Sequence, residues 1–210
     1  MIAAMSRAAW RRVLVAVVIL GGLALFGTRF FFFQPFNAPS VSMSPTLNEG
    51  DFFLVSLRAY SGHDPERGDV AVFRSAKGDF VKRIVGIPAD RVQMIDGRFF
   101  LNGKAVARRR IENFSLAQYG VDMVPVRQFV ETLPSGRSYR TLDAVDGAVA
   151  DNTQLLIVPA DHYFVMGDNR DNSDDSRLDV GYVARRDIVG RVVVKFVDGR
   201  RHAPSWAPVD

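Results

Sequence analysis

The sequence contains no cysteine and only three histidines, His63, His162 and His202. The absence of cysteine excludes disulfide scaffolds, zinc ribbons and thiol nucleophiles. The histidines stand at unrelated spacings, which indicates no metal site and leaves none obviously placed for a Ser-His-Asp triad. The acidic run at 171–176 lacks the glycine and glutamate of a calcium loop. We therefore expect no cofactor and no metal.

Acidic residues are missing from the first twelve positions, which carry Arg7, Arg11 and Arg12. The formal net charge of the chain is +4, so this short tail supplies most of the basic excess. Because the tail precedes an apolar run, it is typical of a membrane topology signal and argues against nucleic acid as a partner.

No charged residue occurs from 13 to 28, and after Arg29 the apolar run continues to Phe33. A helix over 13–33 would be about 31 Å long, close to the thickness of a hydrocarbon core. A cleaved export signal is the alternative, but no small-x-small pattern follows the run closely. We predict a cytoplasmic tail at 1–12, a transmembrane helix at 13–33 and an extracytoplasmic domain at 34–210, in contact with membrane lipid.

Beyond Pro35 the chain consists of short runs rich in Val, Ile and Phe, separated by Gly, Pro, Asp and Asn, which predicts strands. The dipeptides Asp96-Gly97 and Asn102-Gly103 favour the tight turns of hairpins. The sequence predicts a mostly antiparallel β domain. Its strands are expected at 52–57, 69–73, 80–85, 91–95, 98–101, 163–166 and 188–197.

The stretch from 104 to 153 shows no sustained period of 2 or 3.6 residues. We interpret it as a peripheral excursion of hairpins and loops. Its arginine triplet, 108–110, is expected in a solvated turn rather than in a binding patch.

Three serines alternate just beyond the apolar run, at Ser40, Ser42 and Ser44. Residues two apart in an extended chain face the same side, so their hydroxyls are expected to lie together. Taken alone, the segment is more typical of a Ser/Pro linker that leaves the membrane.

Two adjacent cations, Lys82 and Arg83, lie in a predicted strand. Alternation places Lys82 on the face of Phe80 and Ile84. A lysine there is usually a snorkelling residue, but a buried lysine has a lowered pKa and can serve as a general base.

A predicted strand at 163–166 leads into the dense polar segment Gly-Asp-Asn-Arg-Asp-Asn-Ser-Asp-Asp-Ser-Arg at 167–177. An exposed turn is the simple interpretation. Polar groups this dense beside a buried strand are also typical of networks that hold catalytic side chains.

The order of these segments, S-x-S-M-x-P-T, then V-K-R-I-V-G-x-P, then G-D-N-R-D-N-S-x-D-S-R, resembles the bacterial type I signal peptidases. The resemblance covers 36–57, 68–97 and 163–197, which is 87 of 210 residues. It implies the signal-peptidase fold and removal of signal peptides from exported preproteins at a bacterial plasma membrane.

By that resemblance Ser42 is the nucleophile and Lys82 the general base. Ser40 is the oxyanion-hole serine and Ser173 the serine that orients the lysine. The pairs Asp175 with Arg177 and Asp168 with Arg83 are implied as structural support. Val41 departs from the glycine that many members have there, which bears on loop shape and substrate fit.

Three other functions stay open. A self-cleaving repressor shares Ser-Lys chemistry, but a DNA-binding domain would replace the apolar helix. A maturation peptidase of a conjugation or pilus system would differ in substrate range. An anchored β module that binds peptides without cutting them would have no need for the combined set of serines and lysine.

Overall fold

The computed structural model describes residues 7–118, 121–199 and 201–209. Positions 1–6 of the predicted N-terminal tail lie outside the described residues. A short 3-10 helix covers Arg185–Asp187. The other elements are α1 (Arg7–Phe32), β1 (Phe33–Asn37), β2 (Phe52–Ser56), β3 (Val70–Ser75), β4 (Gly78–Gly86), β5 (Arg91–Ile95), β6 (Arg98–Leu101), β7 (Lys104–Ala105), β8 (Ala107–Gln118), β9 (Val121–Thr132), β10 (Ser138–Leu142), β11 (Leu156–Ile157), β12 (His162–Met166), β13 (Val183–Ala184), β14 (Ile188–Asp198) and β15 (Ala203–Pro208).

The mostly antiparallel β fold is confirmed, and each predicted strand corresponds to a strand of the structure. The predicted turns that flank β6 are confirmed as well. Asp96 and Gly97 have φ values of 48° and 68°, and Asn102 and Gly103 have 53° and 79°. Positive φ at both central residues is what a type I′ hairpin turn requires.

In the part of the chain that the structure describes, the strands form three antiparallel sheets. The largest has eight strands in the order β1-β2-β14-β3-β4-β12-β13, with β15 added beside β14. The others are β10-β9-β8 and β11-β5-β6-β7. A bridge between Leu142 and Asn169 connects the end of β10 to the polar segment after β12.

Apolar clusters lie on both sides of β4. One joins β4 and β12 to the smaller sheets through Val85, Met166 and Phe99. Another surrounds Met43 and Phe53, which places a packed base beneath the serine-bearing segment. Burial of these side chains at about 25 cal/mol per Å² fixes the strands that carry the polar residues.

The stretch from 104 to 153 contains a long hairpin of β8 and β9 and then β10. Its arginine triplet lies inside strand β8, so the predicted turn is wrong, although Arg109 and Arg110 are exposed to solvent as expected. The Arg108 side chain is only 8% exposed, stacks 3.5 Å above the Phe129 ring and pairs with Asp143. Because β8 pairs with β9, the Arg108 side chain contacts Phe129 and Asp143, which lie far away in sequence.

Helix α1 includes most of the predicted transmembrane segment, and its apolar side chains from Val13 to Leu20 are exposed. Within the described ranges, no helix has both the length and the apolar character needed to cross a membrane. The transmembrane helix therefore stays a prediction.

Candidate active site

The serine-bearing segment leaves β1 and folds into a compact turn. The Ser44 N–H donates to the carbonyl of Val41 at 3.0 Å, and the Leu47 N–H donates to that of Met43 at 2.9 Å. This turn separates the three serines. Ser44 is fully buried and donates to Asn48, so the expectation that all three hydroxyls lie together is wrong for Ser44.

Ser40 and Ser42 do lie side by side. The Ser40 hydroxyl donates to Ser42 Oγ at 3.2 Å, and the Ser42 N–H points to Ser40 Oγ at 3.5 Å. Two donors, the Ser40 hydroxyl and the Ser42 amide, thus lie next to the Ser42 oxygen. A tetrahedral oxyanion formed at Ser42 would need donors in such positions.

Lys82 approaches the same hydroxyl from β4. Its Nζ lies 2.9 Å from Ser42 Oγ and 3.1 Å from the carbonyl of Val81. Lys82 is only 3% exposed, and its amine lies 5.5 Å from the centre of the Phe80 ring. The alternation of β4 produces this position, since Phe80, Lys82 and Ile84 share one face.

Burial lowers the pKa of Lys82 to about 8. Nearby carboxylates, first Asp175 and then Asp174, oppose that shift but do not cancel it. Among the described residues, no carboxylate oxygen lies within ion-pair distance of Lys82 Nζ. A neutral amine is therefore accessible near neutral pH, as general-base chemistry requires.

The polar segment after β12 packs directly on the serine turn. The Asn169 N–H donates to the Ser42 carbonyl at 3.0 Å, and the Asn169 side chain donates to that of Val41 at 3.2 Å. Gly167 makes this approach possible, because a Cβ there would lie 2.6 Å from the Ser42 carbonyl oxygen. The serine turn is thus held from two sides.

Two buried ion pairs hold this segment in place. Arg83 forms a double hydrogen bond with Asp168, both at 2.9 Å, and also donates to the Gly68 carbonyl. Arg177 forms a similar double bond with Asp175, at 2.9 and 2.8 Å. All four side chains are essentially inaccessible to solvent.

The pKa shifts of these residues follow from the pairing. Burial alone would raise the pKa of Asp175, but the Arg177 guanidinium and the Gly167 N–H outweigh burial and lower it. Burial would likewise lower the pKa of Arg83, yet Asp168 raises it. The Asp175 carboxylate and the Arg83 guanidinium therefore remain ionised inside the protein.

Ser173 lies against Gly167 and close to the Ser42 backbone. Its side chain is buried, and its hydroxyl lies towards the Asp175 carboxylate, whose pKa it helps to lower. Lys82 Nζ is bonded to Ser42 Oγ and the Val81 carbonyl instead. The structure therefore brings Ser173 to the site without a hydrogen bond to Lys82.

Sequence reasoning missed three contributors. Thr46 donates to Asp168 at 2.5 Å, which joins the serine turn to the Arg83 pair. Arg170 forms a buried double hydrogen bond with Glu131 of β9, at 2.9 and 2.6 Å. Arg170 stood within a singled-out motif, but nothing in the unpatterned stretch around Glu131 identified its partner.

A cleft of about 310 Å³ opens over the serine and lysine. Within the described residues, no group of three or more His, Asp or Glu side chains could hold a metal ion. The lining residues are Phe36, Asn37, Pro39, Ser40, Ser42, Phe53, Val72, Lys77, Asp79, Phe80, Val81, Lys82, Asn172 and Asp174.

Comparison with known proteins gives the class of enzyme. The family model described as signal peptidase, peptidase S26, matches residues 10–197. Signal peptidase I of Rickettsia typhi is 31% identical over 192 residues, covering 78% of this chain and 71% of that protein. Signal peptidase I of Rickettsia prowazekii is 30% identical with the same coverage.

The crystal structure of a signal peptidase I from Enterococcus faecalis is 25% identical, with a TM-score of 0.36. The aligned region covers 61% of this chain and 96% of the Enterococcus faecalis chain. The family match is decisive because it spans most of the sequence. The chain belongs to the peptidase S26 family of bacterial type I signal peptidases and is an enzyme of that class.

Proposed function

We propose that this protein is a membrane-bound serine endopeptidase that cleaves N-terminal signal peptides from exported preproteins, with Ser42 as nucleophile and Lys82 as general base. The observation that carries the proposal is the 2.9 Å contact between Ser42 Oγ and Lys82 Nζ in the cleft. The lowered pKa of the lysine, about 8, supports its role as the base.

The reaction begins when neutral Lys82 accepts the Ser42 hydroxyl proton as Ser42 Oγ attacks the scissile carbonyl carbon. The resulting ammonium then donates this proton to the leaving amine, the peptide C–N bond breaks, and an acyl-enzyme ester remains on Ser42. A water molecule attacks the ester while Lys82 accepts its proton, and the proton returns to Ser42 Oγ as the acid product leaves.

Ser40 contributes to the oxyanion hole in this mechanism. In the free enzyme its hydroxyl donates to Ser42 Oγ, and the neighbouring Ser42 amide faces Ser40 Oγ. When a substrate carbonyl oxygen enters, both donors turn to it and stabilise its developing negative charge. Such donors act on the transition state more than on the ground state.

Ser173, Asp168, Arg83, Asp175 and Arg177 position the reacting groups. The two ion pairs fix the loop whose Asn169 bonds the Ser42 carbonyl. Ser173 is a buried hydroxyl that becomes available to Lys82 through a rotation about its Cα–Cβ bond. This positions the amine during catalysis.

The substrate is an extended peptide that adds to the free edge of β4. Strand β12 pairs with β4 only from 83 to 86, so within the described residues the 79–82 edge has no strand partner on that side. This edge borders the cleft, and an added strand would gain main-chain hydrogen bonds there. The size of the cleft suits small side chains next to the cut.

We also propose that the predicted helix at 13–33 anchors the enzyme, with 1–12 in the cytoplasm and 34–210 outside. The uncharged run at 13–28 and the exposed apolar side chains of α1 support this arrangement, because a bilayer would cover them. Ser42 comes ten residues after Phe32, so cleavage would occur near the membrane surface.

The test uses the full chain in detergent with a purified preprotein that carries a small-x-small cleavage site. Wild type is expected to cut at that site, as the mass of the new N-terminus will report. Ser42→Ala and Lys82→Met are expected to leave the preprotein intact. The matched controls Ser115→Ala and Lys104→Met change exposed residues and should cut normally.

The outcomes separate the alternatives. Cleavage of several unrelated preproteins supports a general signal peptidase, whereas cleavage of a single partner protein would indicate a dedicated maturation peptidase. Binding without cleavage would support a peptide-binding module. Normal cleavage by both Ser42→Ala and Lys82→Met would overturn the assignment of nucleophile and base.

A further inference from the structure

A charged bridge lies at the rim of the cleft. Lys77 stands in the turn between β3 and β4, and its Nζ lies 3.2 Å from Asp174 Oδ2 and 3.3 Å from Asp179 Oδ2. The Lys77 side chain is 54% exposed, so this bridge contributes little to stability. Because the bridge lies at the same cleft as the catalytic lysine, it also affects the charge that surrounds that lysine.

The two acids that meet Lys77 differ in their surroundings. Asp179 is 81% exposed and does not line the cleft. Asp174 lines the cleft together with Lys82, and its Oδ1 is buried with no hydrogen-bond partner among the described residues. The hydrogen bond to Lys77 through Oδ2 is therefore the main compensation of the Asp174 charge.

Asp174 acts on Lys82 through space. Its negative charge favours the ammonium form and raises the pKa of Lys82, against the effect of burial. Hydrogen bonds, first to Asp174 and then to Asp179, raise the pKa of Lys77 itself. Lys77 thus stays positively charged over the range in which Lys82 titrates.

We propose that Lys77 is a positioning residue that acts on the general base through Asp174: its ammonium neutralises the Asp174 carboxylate and thereby keeps Lys82 available as a neutral amine at lower pH. This role rests on the proposed function of Lys82 as the base. It assigns part of the pH range of the enzyme to a surface residue outside the catalytic motifs.

Asp174 differs from the other carboxylates that raise the pKa of Lys82 in the kind of counter-ion it has. Asp175 and Asp168 also raise the pKa of Lys82, but each is locked in a buried double hydrogen bond with an arginine. Asp174 has a solvent-exposed lysine as its counter-ion. The charged groups near Lys82 are Asp168, Asp174, Asp175 and Arg177 after β12, Arg83 and Asp79 on β4, and Lys77 at the turn.

The chain has four lysines, Lys77, Lys82, Lys104 and Lys195, which makes a direct test practical. Full-length protein labelled with ¹³C-lysine is titrated in detergent micelles by NMR, with the Lys82 signal assigned by its loss in Lys82→Met. The variants are Lys77→Met, Asp174→Asn and the double variant. Asp179→Asn is the matched control, since it removes the other acid that contacts Lys77.

Lys77→Met is expected to raise the Lys82 midpoint by about half a pH unit and Asp174→Asn to lower it by a similar amount. The double variant should lie close to Asp174→Asn alone, because without the Asp174 carboxylate the exposed Lys77 ammonium is no longer held at the rim of the cleft. Asp179→Asn should leave the midpoint unchanged. The midpoint of kcat/KM against pH should move with the titration.

An unchanged midpoint in Lys77→Met would overturn the proposal. So would an equal rise when Lys77→Met is made in the Asp174→Asn background, or a drop in Asp179→Asn as large as in Asp174→Asn. The titration needs no cleavage. Failure of the proposed function would therefore appear separately, as wild-type protein that shows the expected shifts but does not cut preprotein.

Discussion

Lys82 and Arg83 are neighbours in β4, and both are almost fully buried, yet the two faces of the strand shift their pKa values in opposite directions. Arg83 meets the Asp168 carboxylate in a double hydrogen bond, and its pKa is raised. Lys82 meets the neutral hydroxyl of Ser42, and its pKa is lowered to about 8.

The difference shows that burial alone does not decide the protonation state of a cation. A buried cation with a well-oriented carboxylate stays charged, whereas one without such a partner loses its proton more easily. One strand thereby supplies a permanent structural charge and, one residue away, a titratable base.

The largest expected effect is the loss of cleavage when Lys82 or its partner Ser42 is replaced. Lys82→Met and Ser42→Ala are each expected to reduce kcat/KM for a preprotein by about 10⁴-fold or more, because proton transfer and nucleophile act as a unit. Steady-state cleavage assays measure this. The kcat/KM of Lys104→Met should stay within twofold of the wild-type value. A loss of less than tenfold in Lys82→Met would contradict the role of Lys82 as the base.

The contribution of the buried Arg83–Asp168 pair to stability is tested by removing the charge of Asp168. Asp168→Asn leaves a buried guanidinium without its counter-charge, so the free energy of unfolding should fall by about 3–5 kcal/mol. Urea unfolding followed by circular dichroism measures the change. Asp179→Asn breaks an exposed pair and should cost less than about 0.5 kcal/mol; equal costs would show that burial of the Arg83 pair is energetically unimportant.

Stability of Lys82→Met should change with the opposite sign. The folded lysine has a pKa of about 8 against an ordinary value of 10.5, so the unfolded chain binds more protons between these pH values. Wild-type stability should therefore rise with pH over that range. At pH 7 we expect Lys82→Met to be more stable by up to about 3 kcal/mol.

This gain should disappear as the pH approaches 10.5. Denaturant unfolding of both proteins at several pH values gives the difference directly. A constant difference across the range would mean that the pKa of Lys82 is not lowered by folding.

Ser40→Ala is expected to reduce cleavage less than Ser42→Ala or Lys82→Met. Loss of one oxyanion donor should lower kcat about 10²-fold, a cost of about 3 kcal/mol in transition-state stabilisation, with KM nearly unchanged. Ser61→Ala, at an exposed position, is the control. An effect confined to KM would instead indicate that Ser40 binds substrate in the ground state.

Periodicity and turn chemistry were sufficient to predict the β fold. The strands around β4 have apolar alternation, and the Asp-Gly and Asn-Gly turns beside β6 have the expected positive φ values. Alternation within β4 also put Lys82 on the face of Phe80, where the structure has it. Local rules succeed where the determining contacts are close in sequence.

The two errors have different physical origins. Ser44 was expected beside Ser42 on an extended chain, but a local turn, closed by the hydrogen bond from the Ser44 N–H to the Val41 carbonyl, directs it inward. Arg108 was expected in solvent, but it is covered by Phe129 and Asp143. Such contacts depend on which strands become neighbours, and the residue pattern of a single segment does not specify that.

The most direct test of the account is the dependence of kcat/KM on pH for wild-type enzyme and a preprotein substrate. If Lys82 must be neutral to accept the Ser42 proton, log kcat/KM should rise with unit slope at low pH and level off near pH 8, the pKa of Lys82 in the folded protein. A profile that is flat from pH 5 to 9, or one that levels off only near 10.5, would contradict the central claim that burial makes Lys82 the base.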